Sequence, residues 1–399
     1  MDWLDRSICQ YSEYEPPIRY YYWSLLSAVS AIVKDKVWID RGGSYNLYPN
    51  IYVLLFGPSG IRKGPPIALA KSIVTRVDNT RVINGRATVE AIIKELGTVQ
   101  HKKDKRIIND SCGFIVSSEL SSAIIGNTNS LDILTDLFDR IYNEGEWGYR
   151  LKNSEIIMLK NPTITWLAGT NEALFRDFVP EKNIKGGLIG RTFIIAETKP
   201  NKINSLMYSP EIAPNKEKIA DDIRHLAQVA GPFQMADDVR QAFDEWYIKF
   251  TKDVGPKLED ETGTVGRVSD NILRVAMLIS LARRTDMMLT IEDIEEAMKE
   301  VITLITPSKK VSNSAKQNEI STAEKRSRVV KHLIKMPEFS DTRIRLLRKF
   351  TFQMDYEDLD KIMSHLEQAK IITVERKGPE VEYKINMDNE KVRKYVEEL

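Results

Sequence analysis

The sequence predicts an α/β fold with three layers around a mainly parallel sheet, followed by a helical stretch and a small unit of helices and a hairpin. Three observations carry this reading. Continuous apolar runs alternate with helical patterns over the first 200 residues or so. The best of these runs, Ile51 to Phe56, ends in a glycine loop, as a buried parallel strand does. From Lys216 the pattern turns helical.

In chain order, Pro16-Pro17 opens a helix over 17–34 with an apolar face from Trp23 to Val33. Val37 to Ile39 is a short strand closed by Gly42-Gly43, and Ile51 to Phe56 is the buried strand before Gly57-Pro58-Ser59-Gly60. Arg81 to Ile83 is a strand, Thr88 to Leu96 a helix, and 98–110 a polar loop. Gly113 to Val116 is a strand, with helices expected over Glu119–Ile125 and Ser130–Tyr142. Residues 147–159 read as a β-hairpin, and Thr163–Leu167 and Thr192–Ala196 as strands. Helices follow over Lys216–Val229, Asp237–Phe250, Ser269–Arg284 and Ile291–Ile305, the last opened by a capping box of Thr290 and Asp293. Residues 307–323, with Pro307 and no apolar period, read as a linker. Helices over Glu324–Lys335, 341–349 and 355–369 and a hairpin from Ile371 to Ile385 then spell a winged helix. The expected domains are 1–200, 201–306 and 324–399 around that linker.

Composition excludes several classes. The chain has 399 residues with 58 Lys plus Arg against 57 Asp plus Glu, so it is neither a uniformly basic coat nor an acidic tail protein. Its two cysteines and four histidines are scattered, which argues against a zinc site or a Cys-His nucleophile. The N-terminus lacks signal-peptide character, and no apolar run approaches the ~20 residues of a membrane span, so a cytoplasmic protein is expected.

Chemistry concentrates at Gly57-Pro58-Ser59-Gly60-Ile61-Arg62-Lys63-Gly64. A glycine loop between a buried strand and a helix can wrap phosphates with backbone N–H groups while Lys63 reaches the outer oxygens. The match to a phosphate-binding loop is imperfect: Arg62 replaces the second glycine, and Gly64 the magnesium-ligating Ser or Thr. Downstream, Phe114 to Glu119 is a strand ending in Ser118-Glu119. Glu119 stands where a water-activating carboxylate belongs, and Ser118 where an Asp holds magnesium; alternatively Ser118 is a helix N-cap. With both metal positions altered, either magnesium is held mostly through phosphates and waters or hydrolysis is impaired. Asn171, after strand Thr163 to Leu167, can orient water, cap a helix, or both. Arg191, behind Gly186-Gly187, can reach across a subunit boundary to a neighbour's phosphate.

These features, in this order, resemble the AAA+ ATPase module. Segments such as Leu47-Tyr48-Pro49-Asn50-Ile51-Tyr52-Val53, the glycine loop, Ser118-Glu119-Leu120 and the Gly-Gly to Arg191 stretch resemble helicase-like ATPases of phages, plasmids and other mobile elements, relatives of minichromosome-maintenance-type helicases. The resemblance covers roughly residues 15–305. It implies a three-layer AAA+ P-loop core with a helical lid, ATP and Mg²⁺ as cofactors, and a ring, a hexamer by family habit, with its sites between subunits. It also implies Lys63 as phosphate ligand, Glu119 as catalytic carboxylate, Ser118 and Glu119 near the metal through water, and Asn171 as sensor 1. Arg191 is implied as the trans finger, and Arg267 as the sensor 2 arginine, with Arg274 a second candidate.

The expected partners are single-stranded or forked DNA, further copies of the chain, and primase or other replication proteins, in a bacterial or archaeal cytoplasm. No sequence remains for a primase within the chain. The implied function is a DNA helicase or translocase in replication of a mobile element or phage; the alternative is an ATP-gated assembly factor with little or no hydrolysis. In such helicases a hairpin at 147–159 enters the ring channel, which makes Arg150 and Lys152 DNA contacts with Tyr149 beside them, or else it is an edge hairpin made soluble by charge. His101 to Arg106 is a further basic loop. Nine basic residues fall between Lys325 and Lys349, while the expected third helix starts with acids at Asp355 to Asp360, so the winged helix serves DNA or protein docking.

Overall fold

The computed structural model describes residues 2–77, 80–85, 87–98, 100–101, 107–108, 110–120, 130–138, 146–150, 156–179, 187–204, 214–258, 260, 262–316, 322–350, 356–377 and 380–397. They form two compact units, Met1–Lys316 and Gln317–Leu399.

The first unit is built on a five-stranded parallel sheet. Its strands are β1 (Tyr52–Phe56), β2 (Val82–Asn84), β3 (Cys112–Ser117), β4 (Thr163–Thr170) and β5 (Thr192–Ala196), in spatial order β5-β1-β4-β3-β2. β3 and β4 are buried at every position, the mark of strands covered on both faces. Alternate residues of β1 feed two cores. Val53 and Leu55 face one that contains helices Ile18–Val33 and Gly64–Val77. Tyr52 and Leu54 face the other, with Val89–Leu96 and Ser130–Phe138. A mixed α/β fold with a parallel sheet is thus observed.

Residues 1–200 and 201–306, expected as separate domains, fall within one compact unit. The cause is helix Val268–Arg283, buried along nearly its whole circumference, which packs on Ile18–Val33 and on Ile291–Thr303. The Thr290–Asp293 capping box is present, with both reciprocal hydrogen bonds.

The stretch expected to be a linker contains a helix, Ile305–Lys316. Pro307 lies in its first turn, where a missing N–H breaks no bond. Ile305, Ser308 and Val311 are buried at three-residue spacing, and the helix packs on β5 and on Glu172–Phe178. Polar composition hid this face: among the described side chains of the helix, these three are the buried ones.

The second unit holds helices Thr322–Lys335, Arg343–Phe350 and Tyr356–Gln368 and an antiparallel pair, Ile372–Lys377 with Glu380–Ile385. A third strand, Ser340–Thr342, joins the pair. A terminal helix, Glu390–Glu397, was not anticipated. Among the described residues no helix is long and apolar enough to cross a membrane.

Candidate functional site

Parallel strands bring their carboxyl ends to one edge of the sheet, where open α/β folds bind ligands. Here that edge is tied together by backbone bonds. Gly57 N donates to Thr170 O (3.2 Å), joining the ends of β1 and β4. Phe56 O accepts from Glu197 N (3.0 Å) and from Tyr20 Oη (2.7 Å). Tyr20 is fully buried, and burial raises its phenol pKa, so it stays a donor. A Cβ on Gly57 would lie 2.5 Å from Glu197 O and 2.6 Å from Tyr20 Oη, so this position accepts only glycine.

The loop then turns through two left-handed residues, Gly60 (φ +87°) and Arg62 (φ 64°). For a non-glycine residue such a conformation costs of order 1–3 kcal/mol and persists only where its surroundings hold it. Arg62 is held by an ion pair from Nε to Glu15 Oε2 (3.1 Å). Lys63 Nζ donates back to its own loop, to Gly57 O (2.8 Å) and Pro58 O (2.9 Å). Burial lowers the Lys63 pKa below the usual lysine range, and the charge of Glu119 opposes that shift.

Helix Gly64–Val77 begins at once. Pro65 and Pro66 in its first turn carry no N–H, so the helix end keeps fewer anion donors than usual.

Lys63, Ser118, Glu119 and Asn171 line one cleft of about 440 Å³ beside Gly60 and Arg62. Ser117 fixes the turn after β3: its Oγ donates to Glu119 O (2.6 Å), and Glu119 N lies 3.3 Å from the same oxygen. Ser118 and Glu119 are exposed in that turn. Gly169 lets the parts close up, since a Cβ there would meet Ser118 O at 2.5 Å and Lys63 Cβ at 3.4 Å. Asn171 caps helix Glu172–Phe178, its Oδ1 accepting from Leu174 N (3.0 Å), which leaves its NH₂ group as the part that can address a ligand.

A second cleft of about 640 Å³ opens on the other flank of the loop, sharing Gly57 and Pro58 and continuing to Phe56, Glu197, Thr306 and Lys310. Beside it Arg19 bridges Glu197 (3.6 Å) and Glu300 (3.1 Å). Burial raises the Glu197 pKa while Arg19 lowers it. Sequence reasoning missed this cleft: its walls come from four separate segments, one of them taken for a linker. The only local signal was the glycine loop itself.

Arg191 and Arg267 come together, but not at this edge. Arg191 precedes β5, whose first residue pairs with Tyr52 at the start of β1. The loop leaves the far end of β1, and a five-residue strand spans about 17 Å. A Cβ on Gly187 (φ +89°) would lie 2.6 Å from Arg191 Nη1 and 3.3 Å from Arg267 Nη2, so both guanidinium groups crowd this glycine. Arg191 Nη1 donates to Gly187 O (3.0 Å) and Arg267 Nη1 to Gly263 O (3.1 Å).

Arg274 is a buried structural residue. Its Nη1 donates to Tyr48 O (2.7 Å) and to Asn50 Oδ1, and its guanidinium lies 4.5 Å from the Phe138 ring centre.

The hairpin pairs Glu146–Arg150 with Ile156–Lys160. Arg150 is exposed, beside the outward Ile156 and Met158. Tyr149 instead lies on the inner face, stacked on Trp147 at 5.9 Å. Lys152, the basic stretch Lys102 to Arg106, Gly186 and the expected helix beyond Leu120 lie outside the described residues.

Compared with protein-family models and with curated proteins, the chain matches none.

Proposed function

We propose that the first unit is an AAA+-type ATPase core, that it works as a ring, and that ATP hydrolysis drives translocation on DNA. One observation carries the reading. Lys63, Ser118, Glu119 and Asn171 share a cleft on the carboxyl edge, while Arg191 and Arg267 gather beyond the amino edge. Within one protomer the two groups are too far apart to act on the same phosphate. In a ring, the arginines of one subunit would face the cleft of the next.

The residues fit a nucleotide. Lys63 Nζ is held on loop carbonyls at the position from which it would turn to a phosphate, and added Cβ atoms at Gly60 and Gly64 would meet nothing within 4 Å, so the backbone is open to approach. The second cleft, continuous with the loop through Gly57 and Pro58, has room for the nucleoside. Among the described residues no group of three or more acids, histidines or cysteines forms a metal cage. Ser118 and Glu119 therefore suit a magnesium ion that keeps most of its waters and neutralises phosphate charge.

In this mechanism Lys63 binds and orients the terminal phosphate. Glu119 accepts the proton of the attacking water, and the Asn171 amide holds that water in line. The neighbour's Arg191, supported by Arg267, stabilises the charge that builds up in the transition state. Arg150 and Lys152 would contact single-stranded DNA. The second unit is proposed to be a winged helix.

Gly64 and the proline pair favour a second reading, an ATP-gated assembly factor that turns over slowly. Position 64 has no hydroxyl for the metal, and two backbone donors are missing. One experiment separates the two: ATP turnover with and without single-stranded DNA, read beside the oligomer mass. DNA-stimulated turnover lost in Lys63→Ala and Glu119→Gln is expected. ATP-dependent assembly without turnover selects the second reading.

A further inference from the structure

We propose that the C-terminal unit binds the phosphate backbone of duplex nucleic acid, without sequence preference, through the adjacent faces of helices Thr322–Lys335 and Arg343–Phe350. The first helix exposes Arg328, Lys331 and Lys335, which three- and four-residue spacing puts on one face. The second exposes Arg345, Arg348 and Lys349 in the same way. The two helices touch: the His332 ring meets Phe350 edge-on at 5.6 Å, and Leu333 and Leu346 share the core beneath.

Acids hardly dilute this surface. Of the three between Thr322 and Phe350, Asp341 is buried and bound to His332 Nε2 (2.8 Å), Glu338 lies in the turn, and Glu324 stands at the start of the first helix, before Arg328, Lys331 and Lys335. Helix Tyr356–Gln368, by contrast, carries Glu357, Asp358, Asp360 and Glu367 against Lys361. Its Asp360 takes up Arg343 in a two-pronged pair (2.9 and 2.7 Å). That helix would repel phosphates.

Duplex fits better than the alternatives. A duplex presents about one phosphate charge per 1.7 Å of its axis, the dense anionic surface that six exposed cations with few acids among them suit. A protein interface calls for an apolar centre depleted in lysine, and Ile344 is the only exposed large apolar residue on these two helices among the described residues. A membrane surface calls for large apolar side chains along one face, which these helices do not present.

This proposal stands apart from the ATPase reading and is tested without nucleotide. Binding of the full chain to a duplex with closed ends is measured by anisotropy across a salt series. Replacing Arg345, Arg348 and Lys349 together by Gln should weaken binding about tenfold or more and flatten the salt slope by about 3. Lys331→Gln with Lys335→Gln, on the other helix, should flatten it by about 2. Thermal unfolding checks that each variant is folded. Lys361→Gln should bind like the parent chain. Unchanged binding in both folded multiple variants would overturn the proposal. So would an equal loss in Lys361→Gln, or tighter binding to phosphatidylserine vesicles than to duplex. If duplex binding persists while turnover is absent, the ATPase reading alone fails.

Discussion

At the level of single residues, the cleft is defined by close approaches more than by charge. Gly57 and Gly169 are the points where the loop meets β5 and where Lys63 meets the end of β3. Gly169→Ala would force Ser118 away from the cleft. ATP turnover should fall by at least tenfold while the chain remains folded, which turnover and circular dichroism together would show. Glu119→Gln should leave nucleotide binding within a few-fold and lower the turnover rate by about 10²–10⁴, the usual worth of a general base. Arg274→Met tests a structural role, because it strands the carbonyls of Tyr48 and Asn50 in the interior. It should destabilise the fold by about 1–3 kcal/mol in denaturant titration.

At the level of elements, local chemistry was a good guide wherever it was concentrated. The Thr290 capping box is written in two residues, and Thr290→Ala should lower stability by about 1 kcal/mol, seen as a shifted denaturation midpoint. β1 was legible because a run of apolar residues before a glycine loop has few other uses. Helix Ile305–Lys316 was not legible, since polar residues and a proline make up most of its composition and its described apolar residues are few. Helix Glu390–Glu397 was missed for the same reason: Val392 is the one residue of its side that is buried among those described. Tyr149 was expected beside Arg150 and Lys152 as a stacking group, yet strand alternation in this register puts it on the inner face with Trp147, opposite to Arg150.

At the level of the whole molecule, the separation of Arg191 from Lys63 makes a prediction that a monomeric site would not. Lys63→Ala and Arg191→Ala should each be inactive alone. Mixed, they should recover activity, because about a quarter of the interfaces in a randomly mixed ring pair an intact Lys63 with an intact Arg191. Turnover of the mixture against the separate variants measures this, and no recovery would place the arginine outside the site.

The sequence by itself determined the α/β class, the parallel strands, the glycine loop and the residues at the strand ends. Each of these is set by periodicity or turn chemistry within a dozen residues. Only the tertiary structure decided which of them meet. Placing β4 between β1 and β3 brings Asn171 and Glu119 to Lys63, and pairing β5 with β1 in register carries Arg191 to the opposite edge. The physical reason is that strand order and register come from burying long-range apolar faces, which no local pattern records.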